Sequence, residues 1–113
     1  MGSEVMNVLF TSAGRRVVLM RAFRRAMADM GVSGRILATD LSATAPALYE
    51  ADRGYVVPRV DSDGYIPELE RICNDEGVQV IIPTIDPDLP VLAACRSHLE
   101  THTGGKVRSE SVV

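Results

Sequence analysis

The chain has 113 residues, of which 46% are hydrophobic and 24% charged, and its formal net charge is −3. This balance is typical of one water-soluble domain, which we expect to span residues 1–113 and to reside in the cytoplasm. Only 4% of the residues are aromatic, none is Trp and the net charge is acidic, so the composition argues against a nucleic-acid partner. No apolar run approaches the roughly 18 residues of a membrane span, so we expect no membrane partner.

Strands and helices are predicted to alternate along the chain. Short apolar runs predict strands over 5–10, 35–39, 55–57, 78–82 and 106–108, while helical spacing of apolar residues predicts helices over 16–30, 44–51, 65–76 and about 87–100. Thr44, Asp63 and Asp86 are the expected N-caps of the last three helices. Gly31 and Gly77 are the expected left-handed stops.

The pattern of elements predicts the fold class. Strands that are apolar throughout and separated by helices imply a parallel sheet covered on both faces. We therefore expect a three-layer, doubly wound α/β domain with a mostly parallel sheet of four to five strands. In a sheet of order 3-2-1-4, ligands bind beyond the carboxyl ends of the strands, where the turn after the first strand faces the loop after the fourth.

The turn after the first strand reads Ser12-Ala13-Gly14-Arg15-Arg16. Positive side chains at a helix start are disfavoured by the helix dipole, at a cost of roughly 0.3–1 kcal/mol each. Two guanidinium groups, with the amides of Ala13 and Gly14 as further donors, indicate an anion site for a phosphate or a carboxylate. The alternative is a solvated helix start, in which both arginines are ordinary surface residues.

Three acidic residues are further candidates, and each has a structural alternative. Asp86 and Asp88 belong to the loop over 84–88 that would face the arginines, where they would orient an amine or the loop itself, although capping alone explains an Asp at a helix start. Asp40 closes the second strand, where dinucleotide-binding folds keep an acid for a ribose hydroxyl, but turn formation with Ser42 explains it equally well. Because the first turn has only Gly14 in place of G-x-G-x-x-G, a plain NAD site is disfavoured.

The cysteines and histidines indicate neither a metal site nor a catalytic role. Cys73 and Cys95 lie on separate predicted helices without metal-ligand spacing, and we expect both to be small apolar residues. His98 and His102 are four residues apart but have no third ligand nearby in sequence, so no metal site is expected. Ser12 lacks the G-x-S-x-G elbow of a serine hydrolase, and we expect no catalytic residue in this chain.

Five motifs occur in order along the chain, at residues 7–16, 39–40, 47–52, 56–58 and 82–89. On these motifs the chain resembles the N-terminal pre-ATP-grasp domain of ATP-grasp ligases, most closely proteins similar to the carbamoyl phosphate synthase large subunit. The resemblance implies a Rossmann-like domain that precedes a nucleotide-clamping module. Such enzymes activate a carboxylate as an acyl phosphate and pass it to an amine or ammonia, and residues 12–16 and 86–88, with Asp40, would wall the substrate side of the cleft.

The lysine pair that holds the nucleotide in such ligases, and the acidic and asparagine residues that hold magnesium, have no counterpart here. The resemblance therefore implies that ATP and Mg²⁺ are bound by an ATP-grasp domain outside this sequence, acting in cis. We expect this chain alone to bind no cofactor, to be inactive and to contact a small carboxylate or phosphate substrate.

Two other functions remain open from the residues. One is a stand-alone module that binds a small anion or a nucleotide. The other is an oligomerisation module, such as a homodimer, for which the only indication is the methionine stripe of Met20, Met27 and Met30 on the first helix.

Overall fold

Eight elements alternate along the part of the chain that the structure, a computed structural model, describes: residues 5–84 and the backbone of 106–107. The strands are β1 (Val8–Thr11), β2 (Ile36–Asp40), β3 (Arg53–Val56), β4 (Val80–Pro83) and β5 (Lys106–Val107). The helices are α1 (Val17–Asp29), α2 (Pro46–Glu50) and α3 (Tyr65–Glu76). Each coincides with a predicted element to within a few residues. The predicted helix over 87–100, with Asp86, Cys95, His98 and His102, lies outside the described residues.

The strands form one parallel sheet in the order β3-β2-β1-β4-β5. Val8 of β1 is paired in register with Ile36 of β2 on one side and with Val80 of β4 on the other. The chain therefore reverses its direction of travel across the sheet between β1 and β4. The predicted α/β class and the predicted order 3-2-1-4 are confirmed.

Alternate residues of β1 point into two separate cores. Val8 and Phe10 pack with Met20 and Met27 of α1, whereas Leu9 packs against α3. The α3 core is completed by apolar side chains from the helix and the strands, namely Leu37, Val57, Tyr65, Leu69, Ile72, Cys73, Val78 and Ile81. Because helices cover both faces of the sheet, β1, β2 and β4 are buried along most of their length, whereas β3 is mostly exposed.

Some helix ends differ from the prediction. Gly77 ends α3 in the left-handed conformation, with φ 64°, as predicted. The N-cap positions of α2 and α3 are held by Ala45 and Gly64, neither of which makes a side-chain capping hydrogen bond, so the predicted caps Thr44 and Asp63 are wrong. In α2 the proline at the first helical position lacks an N–H and removes one of the groups that a cap would satisfy.

Buried sulfur-containing side chains belong to the core. Cys73 is fully buried, and burial raises the pKa of its thiol to about 12, so the thiol stays protonated at neutral pH. Met20 and Met27 are buried, whereas Met30, predicted to share their stripe, is exposed just beyond the end of α1. Within the described residues, no helix is long and apolar enough to cross a bilayer.

A buried carboxylate fastens α3 to the amino-terminal end of the sheet. The side chain of Glu76 is only 4% exposed; it accepts a hydrogen bond from the Tyr55 hydroxyl and forms ion pairs with Arg35 and Arg53. The Tyr55 hydrogen bond, assisted by both arginines, lowers the pKa of Glu76 despite its burial. Burial and the same hydrogen bond raise the pKa of Tyr55. The network stabilises the end of the molecule opposite the carboxyl ends of the strands.

We expect Glu76→Gln to reduce the free energy of unfolding at pH 7 by roughly 1–3 kcal/mol, because it removes the charge that the arginines face. A carboxyl whose pKa is lowered by folding stabilises the protein above its unfolded pKa of about 4.3 and loses that effect as pH falls through the folded pKa. Denaturant unfolding from pH 7 to pH 3 should therefore show a shallower acid dependence in Glu76→Gln. Asp29→Asn, at an exposed carboxyl of α1, is the control, and equal slopes for Glu76→Gln and wild type would contradict the prediction.

Candidate functional site

The turn between β1 and α1, residues 12–16, lies at the carboxyl edge of the sheet and contains two left-handed residues. Ser12 has φ 49° and Gly14 has φ 51°. Glycine adopts this conformation without strain, but for serine it costs on the order of 1–3 kcal/mol. The fold therefore holds Ser12 in place, and the contacts that do so define the geometry of the site.

Asp40, the last residue of β2, fastens this turn to the segment after β2. Its Oδ1 accepts a hydrogen bond from the Gly14 amide at 3.0 Å, and its Oδ2 accepts one from the Ser42 amide at 2.9 Å. The Ala13 amide donates to a backbone carbonyl of β2 at 3.0 Å. The expectation that the amides of Ala13 and Gly14 donate to an anion is therefore wrong for this structure, because both hydrogens are already used within the fold.

Thr84, directly after β4, contacts the same turn from the other side. It is almost fully buried, and its Oγ1 lies 2.9 Å from the carbonyl oxygen of Thr11 and 2.7 Å from that of Ser12. The carbonyl oxygen of Thr84 accepts a hydrogen bond of 3.4 Å from Nη2 of Arg16. The turn and the start of the loop after β4 are therefore neighbours, as the strand order predicts. Asp86 and Asp88, which follow in the sequence, lie outside the described residues.

The two arginines, both exposed, face different neighbours. Arg16 reaches Thr84 on the β4 side of the turn, whereas Arg15 lines a small cleft on the β2 side. This smaller cleft has a volume of about 240 Å³ and a polar wall formed by Arg15, Asp40, Ser42 and Thr44, with Gly14, Ala45 and Pro46 completing it. Arg15 and Arg16 thus lie against different sides of the turn.

A larger cleft of about 400 Å³ opens on the far side of the Gly14–Asp40 hydrogen bond. Its walls come from the ends of β1, β2 and β3 and the start of α3, and they consist of Ser12, Gly14, Asp40, Leu41, Val57, Pro58, Arg59, Val60 and Tyr65. The wall formed by residues 57–60 was not predicted from the sequence. Its signal was the strand that ends at Val56, since the segment after a parallel strand lies at the ligand-binding edge.

Two acidic residues of the 47–52 motif have structural roles. Glu50 forms an ion pair with Arg21, and Asp52 forms one with Arg24, so the two carboxylates fasten α1 to the end of α2 and to the segment that follows it. Asp52 also accepts a hydrogen bond of 2.8 Å from the Ile36 amide at the start of β2. Within residues 5–84, no group of three or more His, Cys, Asp or Glu side chains is arranged to hold a metal ion.

The parallel sheet, its reversal between β1 and β4 and the turn at its carboxyl edge define a Rossmann-like α/β domain with a ligand-binding edge. A family model described as the PylC-like N-terminal domain matches residues 8–105, and this domain is the pre-ATP-grasp region of ATP-grasp ligases. The chain belongs to this family. The resemblance read from the sequence motifs is thereby confirmed at the level of the pre-ATP-grasp domain.

The chain is also similar in structure to dTDP-glucose 4,6-dehydratase from Bacillus anthracis str. Ames, solved in complex with NAD. The sequence identity is 16% and the TM-score 0.57, and the match covers 90% of this chain but 36% of the dehydratase. At this identity the likeness shows the Rossmann-like fold alone. No curated protein matches the chain.

We expect Asp40→Ala to lower the free energy of unfolding by about 1–3 kcal/mol, because two backbone amides lose a charged acceptor. Asp40→Asn keeps one acceptor oxygen and should fall between Asp40→Ala and the wild type. Chemical denaturation measures the effect, and Asp63→Ala is the matched control because this exposed residue does not occupy the N-cap position. If Asp40→Ala were as stable as Asp63→Ala, Asp40 would not fasten the turn.

Proposed function

We propose that this domain forms the substrate-side wall of an ATP-dependent carboxylate–amine or carboxylate–ammonia ligase of the carbamoyl phosphate synthase type. The observation that carries the proposal is the hydrogen-bonded β1–α1 turn, which carries two arginines at the carboxyl edge of the sheet in a pre-ATP-grasp domain. On this proposal the domain is inactive by itself. The cytoplasmic location and the possible homodimer remain predictions.

The arginines supply the binding chemistry of this wall. Since the amides of Ala13 and Gly14 are used within the fold, a carboxylate or acyl-phosphate oxygen would accept its hydrogen bonds from Arg15 or Arg16. Charge-assisted hydrogen bonds of this kind are worth roughly 1.5–3 kcal/mol. The turn would orient the acid while the rest of the ligase activates it. Asp86 and Asp88 remain candidates for orienting the amine.

The residues of this chain do not fit the nucleotide clamp of such ligases. The clamp needs a pair of lysines, and the sequence contains a single lysine, Lys106. ATP and Mg²⁺ are therefore assigned to an ATP-grasp domain in cis, and only the placement of the acid is assigned to the turn.

In the full-length protein, Arg15→Ala and Arg16→Ala should each raise the KM for the acid about tenfold or more, the equivalent of one charge-assisted hydrogen bond. The assay is ADP release from ATP and Mg²⁺ with a panel of small carboxylic acids as acids, and ammonium or a primary amine as acceptor. Arg25→Ala, at another exposed arginine of α1, is the matched control and should leave the KM unchanged. The proposal fails if no pair supports ADP release, or if all three variants behave as the wild type.

A stand-alone small-anion or nucleotide-binding module is the second candidate, and the two clefts that meet at Asp40 favour it. The larger cleft has apolar walls for a base and a carboxylate for sugar hydroxyls. The smaller one offers Arg15 with two hydroxyl groups for a phosphate. Both carboxylate oxygens of Asp40 retain a lone pair beside the bonds to Gly14 and Ser42.

For this second function, the chain alone should bind AMP more tightly than adenosine in a calorimetric titration. Arg15→Ala should weaken AMP binding about tenfold, one charge-assisted contact, while adenosine binding stays the same. Arg25→Ala should change neither affinity. If millimolar AMP and adenosine both fail to bind, the second function is excluded and the ligase proposal is unaffected.

A further inference from the structure

Thr84 has contacts that its place in the sheet does not require. It follows the last residue of β4, it is 3% exposed, and its amide already donates to the Thr11 carbonyl oxygen at 3.3 Å. Its hydroxyl makes an additional contact, at 2.7 Å from the carbonyl oxygen of Ser12 and 2.9 Å from that of Thr11. A hydroxyl has one proton to donate, and both acceptors lie at the entrance of the β1–α1 turn.

A second buried threonine shows that this contact is specific. Thr39 of β2 is also fully buried, yet its Oγ1 makes no hydrogen bond within the part of the chain that the structure describes. Both threonines suit the parallel sheet, because β-branched side chains pack well on it. Of these two hydroxyls, that of Thr84 contacts the backbone of the turn, and its branched side chain restricts the rotamers by which it could turn away.

We propose that Thr84 is a positioning residue for anion binding by the β1–α1 turn. Its hydroxyl holds the carbonyl oxygen of Ser12 and so favours the left-handed conformation of that residue, which sets the course of the chain towards Gly14 and the arginines. Its carbonyl oxygen accepts the hydrogen bond from Arg16 and limits where that guanidinium group points. The inference rests on the proposed function, because it takes Arg16 to be a ligand of the anion.

The hydroxyl and the carbonyl oxygen of Thr84 both limit the positions that the Arg16 guanidinium group can take. Without the hydroxyl, the strained left-handed conformation of Ser12 loses a hydrogen bond that stabilises it. The turn can then adopt conformations in which Arg16 no longer reaches the carbonyl oxygen of Thr84. A guanidinium group that samples many positions loses more entropy when it binds an anion than one already held in place. The loss of the hydroxyl should therefore weaken anion binding even though Thr84 itself does not touch the anion.

The test is an NMR titration of the chain with inorganic phosphate at constant ionic strength, following the amides of residues 12–16 and the side chain of Arg16. Thr84→Val, which keeps the shape and removes the hydroxyl, should raise the dissociation constant about fivefold, the equivalent of one hydrogen bond. Thr84→Ser should restore the wild-type value. If Thr84→Val does not fold, Thr84→Cys, which keeps a weaker donor, takes its place and should give an intermediate value.

Two controls separate positioning from general stability. Thr39→Val removes a buried hydroxyl that makes no described hydrogen bond, and Ile72→Val weakens the α3 core. Both should keep the wild-type affinity for phosphate, whatever their melting temperatures. Equal affinities for Thr84→Val and the wild type would overturn the role of Thr84 and leave the proposed function standing. If phosphate does not perturb the turn of the wild type, or if Arg16→Ala binds it unchanged, both the anion site and the role of Thr84 are overturned.

Discussion

The structure depends on the burial of β1 on both of its faces. All four residues of the strand are completely buried, and its neighbours β2 and β4 pair with it on either side. A strand in this position leaves no edge and no face for solvent, so α1 and α3 have to cover opposite sides of the sheet. The next place where the chain can expose a polar group is the turn that follows Thr11. The candidate binding residues therefore lie directly after the most buried strand, at the carboxyl edge of the sheet.

The same constraint determines which groups of the turn remain for a ligand. In a glycine-rich phosphate loop, backbone amides point at the anion and bind it directly. Here the Ala13 and Gly14 amides donate to β2 and to Asp40, and they stabilise the turn at the expense of that role. On the proposed function, recognition then falls to the arginine side chains, whose planar guanidinium forks match carboxylates and phosphates. A pyrophosphate lying on the helix start would lack the free amides of Ala13 and Gly14.

Most of the fold could be predicted from the sequence because the signals were local. Apolar runs separated by amphipathic helices require a covered parallel sheet, and Gly77 at the end of α3 adopts the conformation that only glycine enters without strain. The caps of α2 and α3 were predicted wrongly, since several polar residues precede each helix and composition does not say which one takes the cap position. Met30 was misplaced because a periodic pattern continues past the point where the helix leaves the core.

The site was less predictable, because its contacts join residues far apart in the chain. The residues that would form the turn could be named from the sequence, and so could Asp40. The hydrogen bond between the Gly14 amide and Asp40 joins residues 26 positions apart. The contact between the Thr84 hydroxyl and the Ser12 carbonyl oxygen joins residues 72 positions apart. The motifs that carry the family resemblance contain residues of the candidate site and also residues with a purely structural role. Asn7, for example, uses its side chain to join the end of α3 to the start of β2, far from the ligand-binding edge.

The divergence of Arg15 and Arg16 bears on what the turn can bind. Both residues precede the first helical residue, Val17, so the turn and not the helical repeat sets the directions in which they leave the backbone. Arg16 reaches the β4 side of the sheet reversal, and Arg15 lines the cleft on the β2 side. A turn of this shape is poorly suited to enclosing one small anion between two forks. It is suited to contacting two groups at once, on neighbouring sides of a crevice, and on the proposed function both groups belong to the activated acid.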